Sequence, residues 1–373
     1  MVIGIDASRA VNEEAGIGRY TREVVKRLID LAADDQFRLF FTFVRDDGHK
    51  KRWIADLVSH KENVSVKILP IPGQVKEWLW GQSWMSIGRF MPGAEIIFSP
   101  SFFEAAVGEK TPQVVMIHDL SHAIFPDQRG RGVSKRLTER NKAIAEVAAR
   151  LIAPSEATED DLVQLFGVGK EKVAVIPEAY NPYFTEQTGL ERQPFFLFLG
   201  TISPRKNLIG MMEAYAKLPD DIRTGYKLKI AGAEGWNTGE TYQAYERLQL
   251  GDRVEFLGKV SDEVLRTLYT QSAAFLFPSF YEGFGIPILE AMACGCPVIT
   301  SSISSMPEVA GEAALLVDPK DHHALARAME RLVTDPHLWA KLRRAGLERA
   351  KEFTWERTAK ETLEVIHAIG RQT

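Results

Sequence analysis

FPSFYEGFGIPILEAMACG, residues 277–295, is the most informative stretch of the chain. An apolar run ends near Pro278, a glycine-rich turn follows, and Pro287 stands where a helix takes its first residue. Gly295 then closes a short helix. A strand, a tight turn and a proline-started helix form the ligand-binding corner of a parallel α/β sheet, with free backbone N–H groups aimed at the space above the strand ends. Gly283 and Gly285 allow a ligand close to the main chain, and Phe284 and Ile286 share that turn. Glu282 would repel a phosphate and is better used accepting hydrogen bonds from sugar hydroxyls, whereas Glu290, one turn into the helix, can reach a ribose diol. An arbitrary E-x₇-E is two solvated charges; within this corner both acids become candidate site residues.

Working outward, short β-branched and aromatic runs alternate with helical stretches, so the fold class is α/β. Strands are expected at Val2–Asp6, Arg38–Val44, Val64–Leu69, Glu95–Phe98, Val114–His118, Leu151–Ala153 and Val173–Ile176. A second series covers Phe195–Leu199, Tyr226–Ala231, Val254–Leu257, Ala274–Phe277, Val298–Thr300 and Ala314–Val317. Two series in 373 residues imply two domains. The expected division is 1–178, a linker and hinge at 179–194 inside the proline-rich Pro177–Pro194 stretch, 195–353, and a C-terminal helix over 354–373 whose pattern is compatible with packing on either domain, a return to the first being one of the two.

Charge and composition narrow the function classes. With 46 Lys plus Arg against 50 Asp plus Glu, no overall positive field draws in nucleic acid. The apolar runs are far shorter than the ~20 residues of a membrane helix, and the opening residues lack the pattern of a secretory signal, so a cytoplasmic protein is expected. Cys294 and Cys296 have no second pair to complete a zinc site and read as buried thiols. After the strand Phe195–Leu199, LGTISPRKN at residues 199–207 puts Arg205 and Lys206 at a strand end, where two fixed cations suit a diphosphate.

Residues 281–299, YEGFGIPILEAMACGCPVI, resemble the E-x₇-E signature of retaining glycosyltransferases of family four, and Gly200–Asn207 is similar to that family's G-x-x-x-x-K-N loop, with one more residue between Gly200 and Lys206. Further matches are Ala15–Tyr20, His118–Asp119 and Ala153–Ser155, so the resemblance covers almost the whole chain. It implies the GT-B architecture, two Rossmann-like domains facing each other across a deep cleft. It also implies a nucleoside diphosphate sugar donor, a first domain that binds the acceptor, and no cofactor. Arg205 and Lys206 would stabilise the departing diphosphate without a metal. Gly16 and Gly18, with Arg19, would face the donor phosphates and acceptor, and His118 would lie near the donor sugar. Overall similarity to bacterial mannosyltransferase-like members makes GDP-mannose the first donor and a glycan or lipid-linked glycan the acceptor. Backbone groups at 232–235 and 258–260 are then expected to read the base.

Two features carry competing readings. Arg129, Arg131, Lys135, Arg136, Arg140 and Lys142 form a solvated basic face or a contact for an anionic acceptor or the inner membrane face. Trp78, Trp80 and Trp84 read as core packing ahead of sugar stacking. The rival functions are a sugar-nucleotide epimerase of similar architecture, an NAD-dependent dehydrogenase, and a non-catalytic sugar-nucleotide-binding regulator. About ten residues part Gly16 from the first strand, too many for the tight dinucleotide turn of the dehydrogenase.

Overall fold

A computed structural model describes residues 1–14, 16–46 and 48–371, with the side chains of Gln128 and Arg129 left out. Ala15 of the Ala15–Tyr20 match and the side chain of Arg129 therefore lie outside the described residues. Two compact units emerge. The first comprises Met1–Ala123, Lys135–Glu178 and the chain from Trp355 onward; the second comprises Ile124–Ser134 and Ala179–Thr354.

The first unit holds a seven-stranded parallel sheet of β1 (Val2–Asp6), β2 (Gln36–Thr42), β3 (Val64–Leu69), β4 (Ile96–Ser99), β5 (Gln113–Met116), β6 (Arg150–Ala153) and β7 (Val173–Val175). Their order is β3-β2-β1-β4-β5-β6-β7, all neighbours parallel. The second unit holds six parallel strands, β8 (Phe195–Leu199), β9 (Lys227–Ala231), β10 (Val254–Gly258), β11 (Ala274–Phe277), β12 (Val298–Ser301) and β13 (Ala314–Val317), ordered β10-β9-β8-β11-β12-β13. Every expected strand is present, several displaced by one or two residues at an end. Central strands such as IIFS at β4 and AFLF at β11 are wholly buried, as expected when helices cover both faces of a parallel sheet. In each sheet the strand order reverses at one place, beside β1 and beside β8. The carboxyl ends of the flanking strands open there, the usual ligand position in such sheets.

Helix Ile17–Leu31 buries Val24, Val25, Leu28 and Ile29. Against it and strands β4 and β6 packs the last helix, Trp355–Gly370, which buries Trp355, Thr358, Ala359, Thr362 and Ile366 and so belongs to the first unit. Thr358 Oγ1 donates to the Pro177 carbonyl at 2.7 Å. The stretch Pro177–Pro194 has no helix or strand, yet it is not a free tether. Phe184 is fully buried in the second unit's core, and Glu186 pairs with Arg343.

The tryptophan expectation needs correcting at two of three positions. Trp80 is buried, its Nε1 donating to Asp6 at 3.1 Å, but Trp78 and Trp84 are 60% and 57% exposed. A period of four aligns Trp80 with the core only while the helix lasts, and Gly73–Trp80 ends before Trp84. Cys294 and Cys296 are buried free thiols, and burial pushes Cys296 up to about 12. The basic stretch is not one solvated face. Arg131, Lys135, Arg136 and Lys142 are exposed, whereas Arg140 is turned inward and donates to the Phe103 and Ala105 carbonyls. Among the described residues, no helix is long and apolar enough to cross a membrane.

Candidate functional site

In the second unit, the site is built where β8 and β11 lie side by side. After β8 the chain passes through Gly200 and a single turn, Pro204–Lys206, which holds Arg205 and Lys206 in fixed positions. Asn207 ends that turn at φ +57°, a left-handed conformation that Asn adopts more readily than most residues. Its Nδ2 donates to the Pro278 carbonyl at 3.1 Å and the Pro319 carbonyl at 2.7 Å, tying the loop after β8 to the loop after β11. The Phe280 N–H donates to the Arg205 carbonyl at 2.9 Å, a second tie between them.

This places Glu282 between the two cations. Its carboxylate lies 2.6 Å from Arg205 Nη1 and 2.7 Å from Lys206 Nζ, and the residue is only 9% exposed. Burial alone would raise the Glu282 carboxyl, but the Arg205 and Lys206 charges outweigh it and hold it below the usual range. The Glu282 N–H donates to Ser304 Oγ, while the hydroxyls of Ser304 and Ser305 donate back to its carbonyl. Two cations against one carboxylate leave the cluster with one formal positive charge, suited to an anion.

Helix Ile286–Ala293 begins one residue before Pro287, with Gly285 at φ +121° before it. That angle lies outside the range of ordinary side chains, so glycine is required there. Phe284 is a core residue, its ring edge-on to Phe353 at 5.8 Å, so its side chain does not meet a ligand, and its carbonyl accepts from the Ser305 hydroxyl. Glu290 is buried, and Tyr269 Oη donates to it at 3.4 Å. Burial chiefly, with the Glu290 charge, pushes the Tyr269 phenol well above its ordinary value.

The loops expected to read a base are partly committed elsewhere. The amide of Gly232 donates to the Gly258 carbonyl at 2.8 Å and that of Gly235 to the Ile202 carbonyl at 3.2 Å. A side chain at Gly232 would meet the Gly200 carbonyl at 2.1 Å, so this glycine serves close loop packing. These two N–H groups are therefore unsuited to recognising a guanine edge.

In the first unit, His118 follows β5 and both its ring nitrogens are engaged. Nδ1 lies 2.5 Å from Glu178 and Nε2 is 2.9 Å from the Pro100 carbonyl. Burial lowers the His118 value, but the Glu178 hydrogen bond and charge more than offset it and raise it overall. The Tyr20 ring stands edge-on to the imidazole at 4.8 Å. Sequence reading found His118 but missed Glu178, sixty residues away and without a local pattern. Asp119 Oδ1 accepts from the Ser121 N–H at 2.8 Å. Gly16 has φ +56° and precedes helix Ile17–Leu31, and a Cβ on Gly18 would lie 2.0 Å from the Glu13 carbonyl oxygen. Arg22, also missed, fixes that turn by donating to the Ala10 and Glu13 carbonyls at 2.7 Å. Ser155 is a helix cap whose hydroxyl accepts from the Thr158 N–H. Among the described residues, no group of three or more His, Cys, Asp or Glu side chains could hold a metal ion.

Residues 15–183 match the family model Glycosyltransferase Family 4, and residues 183–352 match Glycosyl transferases group 1. O-antigen chain mannosyltransferase B of Escherichia coli is 29% identical over 372 residues, covering 93% of this chain and 94% of its own. Sucrose-phosphate synthase from Thermosynechococcus elongatus superposes with a TM-score of 0.76 at 22% identity over the whole of both chains. Anabaena HepE, solved with UDP-glucose, superposes with a TM-score of 0.71 at 19% identity over 98% of this chain and 99% of its own.

Proposed function

The chain belongs to glycosyltransferase family four, and from that membership we propose that it moves mannose from GDP-mannose to a hydroxyl of a glycan or lipid-linked glycan, retaining the anomeric configuration. The observation that carries the site is the Arg205–Glu282–Lys206 cluster at the reversal of the second sheet. The choice of mannose draws on the printed name of the Escherichia coli relative.

In this reading the diphosphate takes Arg205 and Lys206 as its partners, and their charge stabilises it increasingly as it leaves. Glu282 has two tasks, fixing both cations and offering its carboxylate to sugar hydroxyls. Glu290 takes the ribose diol. The backbone at Gly283, Phe284, Gly285 and Ile286 borders the phosphates, where the helix end favours negative charge. Gly16, Gly18 and His118 keep the donor-facing roles implied by family resemblance. With both ring nitrogens of His118 engaged, the imidazole has no lone pair for general-base work.

Calorimetric titration with GDP, UDP and dTDP, followed by turnover of a nucleotide-sugar panel with and without glycan acceptors, tests the proposal. GDP is expected to bind tightest and GDP-mannose to be turned over, with transfer unaffected by EDTA. Tighter binding of UDP or dTDP removes GDP-mannose from first place. An inverted product linkage, read by NMR, overturns retention.

A further inference from the structure

The chain leaves the first unit for the second sheet after Glu178 and returns at Trp355, and both crossings converge on His118. Glu178 Oε1 lies 2.5 Å from His118 Nδ1. Trp355 meets Tyr20 edge-on at 5.9 Å, and Tyr20 meets the imidazole edge-on at 4.8 Å, with Tyr20 and Trp355 each only 1% exposed. Thr358 ties the two crossings directly through the Pro177 carbonyl. The other ring nitrogen, Nε2, stands 2.9 Å from the carbonyl of Pro100, just past the end of β4.

These partners decide how many protons the ring carries. A carbonyl and an ionised carboxylate can only accept, so both nitrogens must donate, and the imidazolium alone has two N–H groups. A neutral ring would turn a lone pair toward an acceptor at 2.5 or 2.9 Å and leave a buried contact unsatisfied. The ionisable groups facing the ring are Glu178, Asp119 on its own loop, and Tyr20 on helix Ile17–Leu31. Burial keeps the Tyr20 phenol neutral, so the charges present, on Glu178 and Asp119, both favour the cation.

Hydrogen bonding by itself does not call for a carboxylate at position 178. A glutamine there would satisfy a neutral ring, its amide donating to Nδ1 while Nε2–H kept the Pro100 carbonyl. The carboxylate demands the second proton and makes the tie charge-assisted. With both nitrogens spent in this way, His118 offers a donor the fixed position of the chain after β5, and no proton exchange.

We propose that Glu178 is a positioning residue for glycosyl transfer: it keeps His118 a doubly donating imidazolium and so fixes the chain after β5 to the segment by which the polypeptide leaves the first unit. The inference rests on the donor-facing reading of His118 given above and deepens it.

Turnover of the donor that the nucleotide-sugar panel selects, by transfer or by hydrolysis, is measured across pH for the native chain, Glu178→Gln, Glu178→Asp and His118→Gln, with GDP affinity followed alongside. Nitrogen NMR of the imidazole reads its protonation without turnover. At pH 6.5, where an isolated imidazole is half protonated, both ring nitrogens are expected to carry protons in most native molecules and in fewer molecules of Glu178→Gln. Because the positioned ring is the cation, kcat is expected to fall as pH rises through the His118 value. In Glu178→Gln that fall should come about one pH unit lower or more, the low end of the shift an adjacent opposite charge produces. Glu178→Asp, which restores the charge, should return the fall toward its native pH, and GDP affinity should follow neither change. A mostly neutral imidazole in the native chain at pH 6.5 overturns the proposal, and this is decided even where a variant fails to fold. So does a Glu178→Gln profile that is unmoved, or lowered equally at every pH as a merely structural role would give. Unchanged turnover in His118→Gln overturns the donor-facing reading itself, whereas a loss there beside a native profile in Glu178→Gln overturns only the role given to Glu178. A panel without turnover overturns the proposed function, and this role with it.

Discussion

Glu282 and its two cations separate charge from shape. Lys206→Ala is expected to lower kcat by about 10²–10³-fold while changing GDP affinity less, because the lysine matters most as the diphosphate departs. Steady-state kinetics beside GDP titration decide this; an equal loss in both would assign the lysine to ground-state binding. Glu282→Gln keeps the shape but leaves two cations without their carboxylate, and breaking a buried pair in this way costs about 3–5 kcal/mol. The Glu282 carboxyl is depressed below its ordinary 4.5, so its stabilisation is present above that value and is lost as pH falls through the lower folded value. The stability gap between native and Glu282→Gln proteins should therefore close in acid, as urea denaturation at stepped pH will show. His118 runs the other way. Its value is raised above 6.5, so its contribution is full below that pH and fades as pH rises through the folded value. Imidazole NMR should place His118 above 6.5 and show a fall in Glu178→Gln.

At the scale of elements, the turn before helix Ile17–Leu31 depends on the absence of a side chain at Gly18. Gly18→Ala drives a methyl into the Glu13 carbonyl, and an overpacking loss of about 1–3 kcal/mol is expected in thermal denaturation. Strands such as FFLFL at β8 and AFLF at β11 were readable because a parallel strand covered on both faces must be continuously apolar. The corner at Glu282 was readable because Gly285 and Pro287 have local backbone reasons. The partners that complete each cluster were not. Glu178 for His118, Glu104 for Lys76 and the Pro319 carbonyl for Asn207 are brought together only by strand order, from 28 to 112 residues apart in the chain. Local pattern also misplaced Trp84, because periodicity cannot tell where a helix stops, and Trp78, which lies inside the helix but two residues from Trp80 and so on another face; it left the amides of Gly232 and Gly235 in apparent reach of a base.

Across the whole molecule, the first unit is completed by a helix that follows the second unit in sequence. Trp355, Ala359 and Ile366 are buried in it, and each large apolar side chain of this kind is worth about 1.5–3 kcal/mol. A chain ending at Thr354 is expected to lose amide-exchange protection in β4, β6 and helix Ile17–Leu31 while keeping it in β8–β13. Equal loss in both sheets would show that the two units are not independently stable.

That discontinuity also sets a schedule on the ribosome. The seven strands of the first sheet are all made by residue 175, yet the helix that covers them starts at Trp355. At about 5–20 residues per second the nascent sheet must wait on the order of ten to forty seconds for its cover. Throughout that interval the apolar surface meant for Trp355 and Ile366 faces solvent, where it is open to chaperones and to neighbouring nascent chains. Slow synthesis through the second unit should therefore lower the yield of folded protein more than the same slowing within the first 123 residues.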